Sequence, residues 1–365
     1  MQRGVTPPEH ERYGGMIAFL DVNTIWRRKF ADALHRRSNA ALLLAPTSGP
    51  TAPLPPPTIA IRLPRGWAGG LAWIGMPMLL RHIARLAEPH GGASTIVVTT
   101  PHYLPLARRA AQRSAIVYYC SDDYRSYAGW KTARMTRDEA ALCRIASLSI
   151  FVSEALRARA VTEYALDPAK TRVSPNATEP RFAESYAKPA GIAALPGPIF
   201  GTAGVLNTRI DLDFLVAVAA NPHVGSLALV GPVEAALEEN PTLERLRADS
   251  KVHFFGAQPH GDMPQWMAAF DVAVIPYAAT PFNHFCSPMR LYDHLAIGQP
   301  IIATPHCDQI ATRAAVVTGD IAAVPALVEA ALDRLNGGRI QRIETWDDRV
   351  DALAKSPVAG LAFPQ

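Results

Sequence analysis

Three observations predict an α/β fold of two doubly wound, Rossmann-like domains facing a cleft. At 365 residues the chain is too long for one ordinary core. Apolar runs of about five residues alternate with helical patterns of roughly 10 to 15, the reading expected of parallel strands and their crossover helices. The alternation breaks around Pro189, Gly191, Pro196 and Gly197 and then restarts, so the break reads as an interdomain linker.

In order, residues 16–22 are continuously apolar, as a strand covered on both faces should be. A helix over 26–37 and a strand over 40–45 follow. Residues 46–57 hold too many prolines for regular structure. Then come a helix over 78–87, strand 95–99, a short helix near 104–111, strand 115–120, helix 134–145, strand 148–152, helix 154–164 and strand 172–174. Past the linker the pattern resumes with strand 199–202 and a helix over 212–220, which Asp211 heads as a capping residue. Strands 226–230, 252–255 and 272–275, a helix over 263–270, a helix beginning near Ser287, strand 301–304 and an amphipathic helix over 321–335 complete it. The expected divisions are a frayed polar tail over 1–14, domains over 15–190 and 191–344, and a terminal segment over 345–365.

With 49% apolar and 19% charged residues, the chain should bury a large core. No apolar run reaches the ~18 residues that cross a bilayer, and the best, 71–80, is interrupted by Gly75 and Pro77. The N-terminal residues lack the apolar centre of a signal peptide. Cys120, Cys143, Cys286 and Cys307 show no metal or disulfide spacing and are expected to be reduced thiols in a cytoplasmic protein. Residues 1–190 carry 25 Lys+Arg against 14 Asp+Glu, and the remainder 11 against 18. No zinc-finger spacing or aromatic RNA-binding motif accompanies the basic half, so nucleic acid is not an expected partner. A solvated face explains the charge, and so does peripheral contact with an anionic membrane at its inner face. The helix over 26–37, with Arg27, Arg28, Lys29, Arg36 and Arg37 beside apolar residues, is the sharpest docking candidate.

The most informative stretch runs from Ser287 through Pro288, Met289, Arg290 and Asp293 to Gly298 and Pro300. Serine then proline is a helix start, and Gly298 with Pro300 is its stop. A helix N-terminus is an anion site, and Arg290 adds positive charge one turn in. Asp293, a turn further, is placed to accept hydrogen bonds from sugar hydroxyls. An ordinary capped helix with two surface charges is the alternative. Glycines at strand ends, Gly201 and Gly204, then Gly231, then Gly256 with Ala257 and Gln258, let backbone N–H groups approach a ligand, although Gly231 also fits a plain turn. Arg209 lies just past the first of these loops, where an exposed arginine is equally expected.

The order Ser-Pro-x-Arg-Leu-Tyr-Asp-x-Leu-Ala-x-Gly-x-Pro resembles the donor-binding segment of GT-B glycosyltransferases, where Lys is usual at Arg290 and Glu at Asp293. Further stretches, covering roughly residues 16–355, are similar to the teichuronic-acid-biosynthesis type in the GT4/GT1-like clan: Ile116 to Tyr124, Glu139 to Ser153, Ser174-Pro175-Asn176-Ala177, Val252 to Gly256 and Asp271 to Pro276. Trp346 resembles the tryptophan of a C-terminal helix that crosses back to the first domain. A more distant likeness is to the xanthan-type glucuronosyltransferase, whose strand-end catalytic base matches Asp122 and whose phosphate-binding turn matches Ser287 to Arg290.

Inverting glycosyl transfer benefits from a general base, because the acceptor hydroxyl has a pKa far above neutrality. Asp122 and Asp123 stand together at a strand end; from the residues alone, capping and solvated carboxylates fit as well, and the resemblance implies Asp122 as the base. His102, at another strand end, is a second candidate beside its structural reading. The resemblance implies transfer of a sugar from a nucleoside-diphosphate-sugar to a saccharide or lipid-linked acceptor in polysaccharide biosynthesis, with no cofactor and no metal. Departures are Phe285 where many relatives have the first of two glutamates, and Val205 and Asn207 where an Arg and a Lys are familiar. A UDP-sugar 2-epimerase on the same architecture and a degenerate nucleotide-sugar-binding protein are the other readings the residues allow.

Overall fold

The computed structural model describes residues 16–38, 41–49 and 54–355, so the expected tail over 1–14 and the last ten residues lie outside the described residues. The chain divides into two units, one running to Pro175 and taking in the segment from Trp346, the other Asn176–Thr345. The first unit holds strands β1 (Met16–Leu20), β2 (Ala41–Thr47), β3 (Thr58–Arg62), β4 (Ala93–Val98), β5 (Ala115–Cys120), β6 (Leu148–Phe151) and β7 (Thr171–Val173). They pair in parallel in the order β3-β2-β1-β4-β5-β6-β7. Helices α1 (Ile25–Ser38), α2 (Ala72–Ala87), α3 (Leu104–Ala110), α4 (Thr132–Ile145) and α5 (Glu154–Tyr164) make the crossovers. Tyr118, Tyr119, Phe19 and Phe151 are fully buried in and around the central strands.

Sequence reasoning places no strand at β3, because the proline run ends at Pro57, immediately before it. The strand forms at the edge of the sheet, where only one side of the backbone needs ladder partners. Helix α2 starts at Ala72 rather than near residue 78, with Pro77 inside it. A proline this close to a helix start leaves one carbonyl, that of Trp73, without its helical donor, and the apolar face buries Met76, Leu79 and Ile83 in compensation.

The second unit holds β8 (Ile199–Ala203), β9 (Ser226–Val230), β10 (Val252–Gly256), β11 (Val272–Ile275), β12 (Ile301–Ala303) and β13 (Val316–Thr318), parallel in the order β10-β9-β8-β11-β12-β13. Its helices are α6 (Ala190–Ala193), α7 (Leu212–Ala220), α8 (Pro241–Ala248), α9 (Met263–Ala268), α10 (Pro281–Phe285), α11 (Met289–Ile297), α12 (Asp308–Ala311) and α13 (Val324–Asn336). Phe200, Phe214, Leu229 and Ile275 centre its core. Short elements such as α8 and β13 are too brief to show a period.

The division falls at Pro175/Asn176, ahead of the Pro- and Gly-rich stretch expected to be the linker. Ser174 N–H still donates to Phe151 in the first sheet at 2.9 Å, whereas Thr178 N–H donates to Glu344 in the second unit at 3.0 Å. The Pro/Gly stretch is packed rather than free: Ile192 is buried with Phe182 and Ile199. The chain then returns to the first unit as α14 (Trp346–Ala354), whose Asp347 pairs with Arg36 at 3.0 Å and whose Asp351 pairs with Arg37.

That pairing corrects the expected docking role of α1. Arg27 turns inward and Arg28 binds Asp32 at 2.7 Å, while Phe30 and Leu34 are buried. The four arginines of this helix are therefore spent inside the unit. All four cysteines are buried free thiols. Among the described residues no helix is long and apolar enough to cross a membrane.

Candidate functional site

In each sheet the strand order reverses once, at β1/β4 and at β8/β11, and the carboxyl ends at such a reversal are where α/β sheets bind ligands. In the second unit these ends carry Gly204 and Tyr277. Gly204 adopts φ +119°, and its N–H donates to Val230 at 2.8 Å. A Cβ there would lie 2.5 Å from Nη2 of Arg290, so the guanidinium rests directly on the glycine loop. Gly231, at φ +147°, also needs its missing Cβ, which would overlap the Gly204 carbonyl. Gly201 plays a different part from the one expected: it lies within β8 under the Phe270 ring, a packing position and not a loop amide.

Helix α11 is the element the Ser-Pro motif announces, with two differences. Its N-cap is Pro288, not Ser287, and no side chain caps it, so the first amides at Met289 and Arg290 keep their donors for a ligand. The Ser287 hydroxyl is used elsewhere: it accepts from Asn176 N–H at 2.8 Å and donates to Gln309 at 2.9 Å. Together with the Asn176 side chain on the Ser287 carbonyl, these bonds anchor the turn leading into α11. Gly298 closes the helix in a left-handed C-cap, as anticipated.

Arg290 and Arg209 both lie over the ring of Tyr277, at 5.3 and 5.5 Å from its centroid. Arg209 also stacks on Phe282 at 4.0 Å, and its Nε donates to Asn283 at 2.9 Å. Asn283 is fully buried and returns its amide to the Arg209 and Ala278 carbonyls. Neither arginine has a carboxylate partner among the described residues. Burial pushes the Tyr277 hydroxyl up to about 12 while the two arginines pull it down.

Asp293 is buried on α11, and Thr178 donates to its Oδ1 at 2.7 Å. Burial raises its carboxyl to about 7, against the lowering effect of the Thr178 hydrogen bond. Gly256 and Ala257 are exposed at the end of the edge strand β10. The Gln258 amide donates to the Phe255 carbonyl at 2.7 Å, which closes its own turn. Asp211 caps α7 by accepting from Phe214 N–H at 2.9 Å, the role read from sequence.

In the first unit the reversal is bridged by Asp21, at the end of β1, which accepts from Thr99 at the end of β4 and from Arg27, each at 3.0 Å. Asp21 is left-handed, φ +67°, an uncommon state for a residue with a side chain. Arg27, buried, also donates to Ser121 and Tyr124, each at 3.0 Å. Beside this network stands Asp122. Its Oδ1 accepts from Asp123 N–H at 3.2 Å and its Oδ2 from the Tyr127 hydroxyl at 2.7 Å.

Asp123 does not share that environment. It is buried on Arg159 at 2.6 Å and accepts from Ser126 at 2.6 Å, so it ties the strand end to α5 instead of pairing with Asp122 as a second acid. His102 is half-buried and edge-on to Trp130 at 4.4 Å, and Trp130 stacks on Tyr124 at 5.6 Å. Burial and then Arg134 lower the His102 pKa, which keeps the imidazole neutral and able to accept a proton.

Asp21, Tyr127, Trp130, Tyr277 and Asn283 escaped sequence reasoning. Asp21 and Tyr277 could have been marked by position, since each closely follows an apolar strand; Asn283 carries no local signal, because its role is to hold Arg209 from 74 residues away.

Residues 28–182 match the family model described as "Glycosyltransferase Family 4", and residues 197–336 the one described as "Glycosyl transferases group 1". The Bacillus subtilis protein TuaH, which carries the name of a teichuronic acid biosynthesis glycosyltransferase, is 26% identical over 108 residues, 30% of this chain and 27% of TuaH. The aligned stretch thus spans about a quarter of that relative's length. Among solved structures, Anabaena HepE in complex with UDP superposes with a TM-score of 0.66 at 18% identity, covering 95% of this chain and 97% of HepE. Sucrose-phosphate synthase from Thermosynechococcus elongatus gives the same TM-score and identity, covering 93% and 94%. At such identities the likeness is one of fold.

Proposed function

We propose that this chain, built from a Glycosyltransferase Family 4 domain followed by a Glycosyl transferases group 1 domain, transfers a sugar from a nucleoside-diphosphate-sugar to a saccharide or lipid-linked acceptor in polysaccharide biosynthesis. The observation that carries this is the meeting of three anion-binding devices in the second unit: the Gly204 loop, the uncapped start of α11, and the Arg209 and Arg290 guanidiniums over Tyr277. HepE binds UDP in a chain of the same fold, which supports a UDP-type donor.

As donor and acceptor exchange the sugar, negative charge develops on the leaving diphosphate. Arg290, Arg209 and the α11 amides supply the countercharge from fixed positions, the arrangement that lowers such a barrier most. In this proposal no metal ion is required for that step. Asp293 receives a hydroxyl of the donor. On the acceptor side Asp122 takes the proton of the attacking hydroxyl, held by Tyr127, and neutral His102 is the second proton acceptor. A lipid-linked acceptor would be met at the cytoplasmic face of an anionic membrane.

The test is a panel of UDP-, GDP- and dTDP-sugars read by thermal shift, since a specific ligand stabilises the native state by mass action. A cognate donor raises the midpoint, and product then forms only when acceptor is added. Epimer appearing without acceptor would replace transfer by a UDP-sugar 2-epimerase, and binding without turnover would leave a nucleotide-sugar-binding protein.

A further inference from the structure

We infer that the α2–α3 surface of the first unit is a docking face for an anionic lipid bilayer. This rests on the membrane part of the proposed function and names the surface that would carry it, in place of α1. The first half of α2 presents apolar side chains to solvent: Trp73 is 69% exposed, Leu71 just ahead of the helix 38%, and Met78 36%. At about 100° per residue, Trp73, Ile74, Pro77, Met78, Arg81 and Arg85 fall on one face of the helix. The opposite face is committed to the core through Met76, Leu79, Ile83 and Ala87.

Toward its C-terminus the exposed face changes from apolar to cationic. Arg81 and Arg85 form one wall of an open cavity of about 1000 Å³, and Arg109 and Arg113, at and just beyond the end of α3, form another. None of these four arginines has a carboxylate partner among the described residues; Glu88 is the single acid in the cavity lining. The cavity lies beside the start of β4, at the end of the sheet opposite Asp21 and Asp122. It is therefore separate from the residues assigned to acceptor chemistry.

Charge complementarity selects the occupant. Guanidiniums bind phosphate bidentately, and each basic group near an anionic leaflet adds to attraction. Tryptophan with neighbouring apolar side chains gains from the headgroup–acyl boundary, which an aqueous polyanion does not provide. A helix whose two halves supply these two terms would lie in the membrane surface with its solvent face down. The contrast with α1 is instructive: that helix has more basic residues in its sequence, but its arginines are paired.

The experiment uses the full chain and sedimentation with vesicles of phosphatidylcholine alone or mixed equally with phosphatidylglycerol. Partitioning should require the anionic lipid and fall as salt rises, because the attraction decays within about 8–10 Å. Arg81→Glu with Arg85→Glu should lower partitioning at least about tenfold, and Trp73→Ser should lower it several-fold. Arg245→Glu, one such substitution on the second unit, should not. Thermal unfolding reports the fold of each variant, and UDP binding measured beside it separates failure of docking from failure of the donor proposal. Partitioning indifferent to lipid charge, or a double variant that binds like wild type, overturns the inference. So does binding to short duplex DNA, dependent on Arg81 and Arg85, in the absence of vesicle binding.

Discussion

The carboxyl edges of the two sheets have the same topology and opposite electrostatic arrangements. In the first unit the conspicuous arginine, Arg27, is buried and saturated by Asp21, Ser121 and Tyr124. In the second, Arg209 and Arg290 lie on an aromatic ring without a carboxylate. A guanidinium facing an acid is part of the scaffold, since its charge is already answered. One facing a π surface is held in place at little electrostatic cost and keeps its donors for an anion. The carboxylates differ in surroundings too: Asp123 lies on Arg159, and Asp122 accepts from a tyrosine hydroxyl and an amide.

The largest expected effect tests that division of the acids. Asp122→Asn should reduce turnover by ~10²–10⁴ with UDP affinity intact, because a base acts on the acceptor proton and not on the diphosphate. NMR of the product should show inversion of the donor's anomeric configuration; retention would return Asp122 to a turn-capping role. Next, Arg27→Met should destabilise the fold by about 3–5 kcal/mol in urea unfolding, the scale for breaking a largely buried ion pair by removing one partner. Arg290→Ala should do the reverse, with stability nearly unchanged and UDP binding weaker by about 1–3 kcal/mol in calorimetry. If Arg290→Ala unfolded the protein while Arg27→Met did not, the contrast between the two edges would be wrong.

Asp293 offers a pH test of moderate size. Its folded-state pKa of about 7 lies above the ordinary 3.8, so the native state holds the proton more tightly than the unfolded one. Its stabilising contribution is fully present below pH 3.8 and is lost as pH rises to about 7. Asp293→Asn should flatten that part of the stability profile, and thermal unfolding from pH 4 to 8 would show it. The smallest effect belongs to Gln258→Ala, which should leave UDP affinity within about twofold, since the amide closes its own turn.

How much of this was legible depended on the range of the interaction. The helix from the Ser-Pro motif to Gly298, the Asp211 cap and the strand-end glycines are local, and each showed itself within a few residues. The Ser287 hydroxyl was misread as a cap because its partners, Asn176 and Gln309, are 111 and 22 residues away. Likewise β3 hid behind a proline run, and a packed segment passed for a linker on composition alone.

By itself the sequence determined the class of fold, two parallel doubly wound sheets, and the glycine-bearing turns at strand ends, because hydrophobic period and turn residues act locally. Only the tertiary structure decided what stands beside each charge. Asp123 and Arg27 look as reactive in sequence as Asp122 and Arg290. Folding places Arg159 at 2.6 Å beside the first and Asp21 at 3.0 Å beside the second, and a charge is silenced by what folding places beside it.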